Sequence, residues 1–366
     1  MTRKLTLFTP GPVMTSKALK ESLSHPDMPH RRPGFEEILM RTQKNLLTLL
    51  KANDEYSIAI ISGSGTSANE TVLSSIIKDD DEVLLLKNGM FGDRLDEILS
   101  CYKYKINRIE CVWGESFNTS LIDAALQTNQ NIKWVCMVFQ ETSTGMINPV
   151  KQIGEIVKKY QRHLFVDCIS AVGGEDIDVV RDNIDICTGA GNKAIASTTG
   201  IAFACAKRAV VPKINVEVPR RNIYLNLQNY LDWSDKYHQT PNTPAVTMFV
   251  ALDTAVKELL EEGLENRILR HQECSRIVRD GLTKMGLQLL LSSEVSSNTV
   301  TSVFLPKDVG VSDFIDELEK RGYVVYPGKG PFLKKNLIQI ATMGWIFPED
   351  CRKLLKAIEE TINSLI

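Results

Sequence analysis

The 366-residue sequence has no basic excess. Its 43 Lys and Arg against 45 Asp and Glu leave a formal net charge of −2, which removes the footprint expected of a nucleic-acid binder. It has no apolar run long enough to span a bilayer; "WVCMVF" is far short of the ~20 residues required. Eight cysteines (101, 111, 136, 168, 187, 205, 274 and 351) form no CxxC pair and no metal-ligand spacing. Most sit in apolar runs such as "VCMVF" and "FACAK", where cysteine acts as a small hydrophobe. No metal site is expected, and a reducing cytoplasm is the simplest setting. The start, "MTRKLTLFTPGP", reaches Pro10-Gly11-Pro12 before a signal-peptide core can form. Internal repeats, low-complexity tracts, a Walker loop and a dinucleotide fingerprint are all missing.

What is present is an ordinary soluble composition, 43% hydrophobic and 24% charged, with enough chain for a large domain and a smaller one. Strand-like runs recur: "YSIAIIS" (56–62), "EVLLL" (82–86), "RIECVW" (108–113), "IKWVCMVF" (132–139), "HLFVD" (163–167), "IDICT" (184–188) and "GIAFACA" (200–206). Amphipathic segments such as "TSANETVLSSIIK", "FGDRLDEILSCY" and "PVKQIGEIVKKY" separate them. Apolar strands alternating with helices predict an α/β fold whose mainly parallel sheet is covered on both faces. Beyond about residue 250 the pattern becomes a long helical stretch, then short strands between helices. We expect residues 1–260 to form an N-terminal arm and large domain, and 261–366 a small α+β domain.

Ligands of open parallel sheets bind beyond the strands' carboxyl ends, and five polar stretches fall there. "SGSGTSANETV" could cradle a phosphate with Ser64, Gly65 and Thr66 at a helix N-terminus, or simply cap that helix. Asp167 ends "HLFVD" and calls for a cationic partner, or caps the next turn. Lys193, in "GAGNKAIASTTG", lies among small residues. A lysine in such a pocket has a depressed pKa and can condense with a carbonyl; the alternative is a loop lysine. "FQETSTGMINPV" gathers Glu141, Thr142, Ser143 and Thr144, and "HQTPNTPAV" brings Thr240 and Thr243 ahead of a helix. Both also read as turns and caps. Together these parts meet the needs of pyridoxal phosphate: a lysine, an anion for the ring nitrogen, a phosphate site and a stacking face. Phe91 in "NGMFGDRL" could supply that face, or be the first core residue of its helix.

On "LFTPGPVMTS", "GSGTSANETVL", "NGMFGDRL", "ETSTGMINPV", "FVDCISAVGG", "GAGNKAIASTTGIAFA", "TPNTPAV" and "GYVVYPGKG", the chain resembles the class V aminotransferases of fold-type I along nearly its whole length. Within them it looks most like the 2-aminoethylphosphonate–pyruvate transaminases. The resemblance implies a PLP-dependent transaminase: a large domain with a seven-stranded, mainly parallel sheet between helices, plus a small domain. It implies that Lys193 binds the cofactor and shuttles the proton, that Asp167 pairs with the ring nitrogen, and that Phe91 stacks on the ring. Thr142 would meet the ring's O3′ side. Ser64, Gly65 and Thr66 would hold the phosphate, with Thr243 reaching it from the neighbouring subunit of a homodimer.

One position departs from that pattern. The family's carboxylate-gripping arginine falls at Gln339 in "LIQIATMGW". An amide in place of a bidentate guanidinium should cost about 1.5–3 kcal/mol of carboxylate binding. Arg31 or Arg32 in "MPHRRPGF" could substitute, or belong to a solvated loop. Otherwise the substrate pair differs, as in a serine/alanine–glyoxylate-type enzyme, or the reaction is that of a lyase or decarboxylase. The expected activity is amino transfer between a small aminophosphonate and a 2-oxo acid such as pyruvate.

Overall fold

A computed structural model describes residues 5–366. Its central sheet has seven strands: β1 (Tyr56–Ser62), β2 (Glu82–Lys87), β3 (Lys105–Glu110), β4 (Ile132–Val138), β5 (His163–Asp167), β6 (Ile186–Ala190) and β7 (Ile201–Lys207). They lie in the order β1-β7-β6-β5-β4-β2-β3. Only β7 runs against its neighbours, pairing antiparallel with both β1 and β6; the remaining pairs are parallel.

Continuous apolar strands follow from burial on both faces, because successive side chains point to opposite sides. Ile58, Ile60, Leu84, Leu86, Val135, Met137, Leu164 and Val166 pack on one face with the helices Pro33–Leu49, Val150–Lys159 and Val246–Glu262. Ala59, Ile61, Val83, Leu85, Trp134, Cys136 and Phe165 pack on the other, with Gly65–Ile76, Met90–Ser100 and Leu227–Tyr237. Size complementarity adds to register: Phe203 lies opposite Gly189, where an added Cβ would enter the phenyl ring.

Two expectations shift. The strand expected at 108–113 sits at Lys105–Glu110, because pairing from Glu82↔Lys105 to Lys87↔Glu110 fixes it. As an edge strand it alternates in exposure, and Trp113 leaves it to meet Phe332 at 6.4 Å between rings. The long helical stretch is broken at Gly263, whose φ of 87° places it where glycine is favoured. Val246–Glu262 thus ends and Leu264–Lys284 begins in a new direction.

The later residues build a three-stranded antiparallel sheet from β8 (Val300–Phe304), β9 (Tyr326–Pro327) and β10 (Leu337–Ala341), with β10 in the middle. Helices Leu264–Lys284, Val311–Lys320 and Pro348–Leu365 share its apolar cluster. The N-terminal arm joins in: Thr6–Leu7 pairs in parallel with Tyr323–Val324, and Phe8 is fully buried in that cluster. Among the described residues no helix is long and apolar enough to cross a membrane.

Candidate active site

The carboxyl ends of β1, β2, β4, β5 and β6 open on one edge of the sheet, and four of the five polar stretches leave them; the fifth, "HQTPNTPAV", instead joins the helices Leu227–Tyr237 and Val246–Glu262. Lys193 is in the turn after β6. Its Nζ donates to the Pro10 carbonyl of the N-terminal arm. Gly11 is held at φ 125°, and an added Cβ would lie 2.8 Å from the same Nζ. Burial pushes the Lys193 pKa down to about 8; nearby Lys329 pushes the same way, and Asp167 opposes them. The ammonium is therefore poised to lose its proton close to neutrality. Ser197, on the same turn, has a buried hydroxyl without a hydrogen-bond partner.

Asp167 ends β5 and is buried. One carboxylate oxygen accepts from Asn69 Nδ2 at 2.7 Å, the other from the Ile169 N–H at 2.9 Å. Asn69 in turn accepts from the Thr188 hydroxyl at 2.6 Å. Burial raises the Asp167 pKa, while Asn69, Ile169 and the charge of Lys193 restrain the rise. Among the described residues the partners of the Asp167 carboxylate are Asn69 and the Ile169 N–H, with Lys193 acting only as a nearby charge. A buried carboxylate with donors on both oxygens still has lone pairs to offer a cationic nitrogen.

Ser64 precedes the helix Gly65–Ile76 and is exposed; its side chain does not cap that helix. The first N–H groups of a helix lack internal acceptors, so the turn of Ser64, Gly65 and Thr66 can receive an anion. Gly65 is pressed against Ile169, where a Cβ would lie 2.5 Å from Cδ1. Ile169, whose N–H binds Asp167, thus sets how near this backbone can come.

Phe91 is half-buried near the start of Met90–Ser100. Glu141 fixes that helix start by accepting from the N–H groups of Phe91 and Gly92 at 3.2 and 3.1 Å, and from the Ser143 N–H at 3.1 Å. Burial raises the Glu141 pKa against those bonds. Thr142, also buried, donates to Ser170 Oγ at 2.6 Å. Gln339 is fully buried on β10, and its Nε2 meets the carbonyls of Thr142 (2.9 Å) and Ser143 (3.0 Å) and the Ser302 hydroxyl (3.2 Å). Its Oε1 has no partner.

Three expected residues make no hydrogen bond to this group among the described residues. Arg31 is exposed; it donates to Gln239 at 2.9 Å and the Thr240 carbonyl at 2.7 Å, and its guanidinium lies 4.9 Å from the Trp233 ring centroid. Those bonds tie one loop to another. Arg32 is exposed beside it, at the start of Pro33–Leu49, and does not cap the helix. Thr243 is exposed too, two residues before Ala245, whose N–H donates to Ser62 Oγ at 2.9 Å.

Sequence reasoning gave no role to Asn69, Lys329 or the Pro10 carbonyl, and named Glu141 only as part of a polar stretch. Asn69 was detectable: it shares a helical face with Val72, Leu73 and Ile76, so an amide stands where the pattern calls for an apolar side chain. Lys329 sits between two glycines, much as Lys193 sits among small residues. Nothing local marks Pro10, because its contact is with a residue 183 positions away.

The fold is that of the pyridoxal-phosphate enzymes of fold-type I. The class-V aminotransferase family model matches residues 15–331, and the chain belongs to that family as a PLP-dependent transaminase. It is 32% identical to an uncharacterized aminotransferase of Methanocaldococcus jannaschii, over 99% of this chain and 94% of that protein. It is 30% identical to a 2-aminoethylphosphonate–pyruvate transaminase of Bacteroides fragilis, over 97% of this chain and 98% of the relative. The structure matches ureidoglycine–glyoxylate aminotransferase of Bacillus subtilis with a TM-score of 0.91 and 29% identity, over 100% of this chain and 94% of that one.

Proposed function

We propose that this transaminase moves an amino group between a small aminophosphonate, of the 2-aminoethylphosphonate kind, and a 2-oxo acid such as pyruvate. What carries the reading is near full-length similarity to a transaminase named for that pair. Pyridoxal phosphate supplies, when bound, an aldehyde and an electron-accepting ring. The Asp167 carboxylate would favour a positive charge on the ring nitrogen, with Asn69 and the Ile169 N–H restraining the rise in its pKa that burial causes. Lys193 takes and returns the proton at Nζ, helped by its lowered pKa. Phe91 would cover a ring face, Thr142 would meet the O3′ side, and Ser64, Gly65 and Thr66 would receive the phosphate.

The same proposal includes a cytoplasmic homodimer with interface active sites, in which the exposed Thr243 reaches the partner's phosphate site. It also divides the chain into 1–260 and 261–366. In support, one apolar cluster extends to Leu264 and another takes in Cys274 and later residues, together with Phe8.

The test is a single turnover. Cofactor-loaded protein given 2-aminoethylphosphonate alone should lose its carbonyl-form absorbance, and pyruvate should restore it. Silence toward the amine, with other small amines active, rejects the substrate assignment. A glyoxylate acceptor is the second reading, favoured by the likeness to the ureidoglycine–glyoxylate enzyme; faster recovery with glyoxylate than with pyruvate would select it.

A further inference from the structure

Gln339 cannot serve as the cation that an anionic substrate requires. It is neutral and fully buried, and its only donor nitrogen is already shared among two carbonyls and a hydroxyl. The neighbouring strand offers a charge instead. Tyr326 of β9 pairs directly with Gln339 of β10, and the chain leaves β9 through Gly328, Lys329 and Gly330.

That turn is firmly built. The Gly328 N–H donates to the Leu337 carbonyl at 2.7 Å, and the Phe332 N–H donates to the Lys329 carbonyl at 3.0 Å. Gly330, at φ 51°, lies so close to the Trp113 ring that a side chain would enter it. The Lys329 ammonium lies 5.5 Å from the centroid of the Phe91 ring. No carboxylate lies within ion-pair distance of it among the described residues; burial pushes its pKa down, the nearby Glu141 opposes that, and its own charge pushes Lys193 toward the neutral form.

The ring face attracts the ammonium, but a half-buried ammonium near a second lysine and without a paired carboxylate still gains from an arriving anion. We propose that Lys329 recognises the anionic end of the substrate, a phosphonate or carboxylate oxyanion, in place of the charge missing at Gln339. The inference rests on the aminotransferase reading. The ring of Phe91 and the amine of Lys193 place Lys329 beside the reacting end of the pocket. The cofactor's phosphate has its own cradle at Ser64–Thr66, on a different loop.

The experiment compares cofactor-loaded wild type, Lys329→Met and Lys329→Arg. Methylphosphonate and acetate serve as non-reacting probes in equilibrium dialysis, alongside kcat and KM for the oxo acid. Lys329→Met should weaken one probe by roughly tenfold or more, the loss expected of a charge-assisted contact, and raise KM more than it lowers kcat. Lys329→Arg should restore most of that affinity. The probe that suffers identifies the oxyanion.

Equal probe binding by wild type and Lys329→Met, or binding of neither probe by wild type, overturns the proposal. So does a Lys329→Met protein that sheds cofactor yet binds probes normally once loaded, since the lysine would then serve the cofactor phosphate. Should Lys329→Met not fold, Lys329→Gln takes its place. Wild type that takes up no cofactor defeats the aminotransferase reading itself, and the loading step reports this before any probe is added.

Discussion

Asn69 Nδ2 donates a 2.7 Å hydrogen bond to Asp167 Oδ2, while its Oδ1 accepts from the Thr188 hydroxyl at 2.6 Å. The hydroxyl fixes which way the amide faces, so the Asp167 carboxylate always meets a donor. Asn69→Leu would leave a buried hydroxyl and a buried carboxylate oxygen unpaired. Each such loss costs about 1–3 kcal/mol. It should also let burial raise the Asp167 pKa further, because Asn69 is the largest influence opposing that rise. Urea unfolding should show the stability loss, and dialysis should show faster cofactor release. A variant as stable and as retentive as wild type would leave Asn69 without a positioning role.

Lys193 gives a pH prediction for the cofactor-free chain. Its pKa is lowered from 10.5 to about 8, mainly by burial. Above pH 8 the folded chain has released a proton that the unfolded chain keeps until about 10.5, so this lysine makes stability rise with pH across that window. Below it the cost of burying the ammonium is felt in full. At pH 7 roughly a tenth of Lys193 is free amine, against well under a thousandth for an ordinary lysine. Reductive methylation read by peptide mass should therefore reach half its maximal rate near pH 8 at Lys193. Removing the neighbouring charge with Lys329→Met should move the midpoint upward. A midpoint above 10 in wild type would contradict the burial argument.

The sequence carried the parts whose cause is local. Strand–helix alternation predicted the sheet because both its faces are buried, and Lys193, Asp167 and the Ser64–Thr66 turn stood out as polar groups at strand ends. Boundaries slipped where partners decide them: β3 follows the register of β2, and Gly263 breaks a helix whose apolar spacing runs through it. Contacts at long range were not legible. The arm's Pro10 carbonyl reaches Lys193, and Gln339 spends its donors on a loop nearly two hundred residues away. Nor was it legible that Arg31 donates to the Thr240 carbonyl and lies over the Trp233 ring.

Gln339 can be tested in two directions. Gln339→Leu removes the donor that serves the carbonyls of Thr142 and Ser143, and should cost about 1–3 kcal/mol of stability. Gln339→Arg keeps donors for those carbonyls and adds a charge. If a carboxylate reaches this position, KM for the oxo acid should fall by roughly tenfold, the scale of a charge-assisted bond. The buried site must accept a longer side chain, so unfolding of both variants is measured alongside the kinetics. A stable Gln339→Arg with unchanged KM would mean that the substrate never meets this strand.

Glu175 links the turn after Asp167 to the segment entering β8. Its two oxygens accept from the Asn298 N–H at 2.6 Å and from Asn298 Nδ2 at 2.7 Å, and Asn298 Nδ2 also donates to the Gly174 carbonyl at 3.1 Å. Burial nonetheless dominates and raises the Glu175 pKa from 4.5 to about 8, against the Asn298 bond and the charge of Arg279. The folded chain therefore holds a proton that the unfolded chain has given up. That contribution to stability is complete below about pH 4.5 and is lost as pH rises through about 8. Glu175→Gln cannot titrate, and it offers one acceptor where two donors wait, so it should be less stable than wild type at pH 5. Across pH 5 to 9 the gap between the two should narrow, because only wild type loses the contribution. Urea unfolding over that range measures the gap directly, and a constant gap would show that Glu175 is ionised throughout.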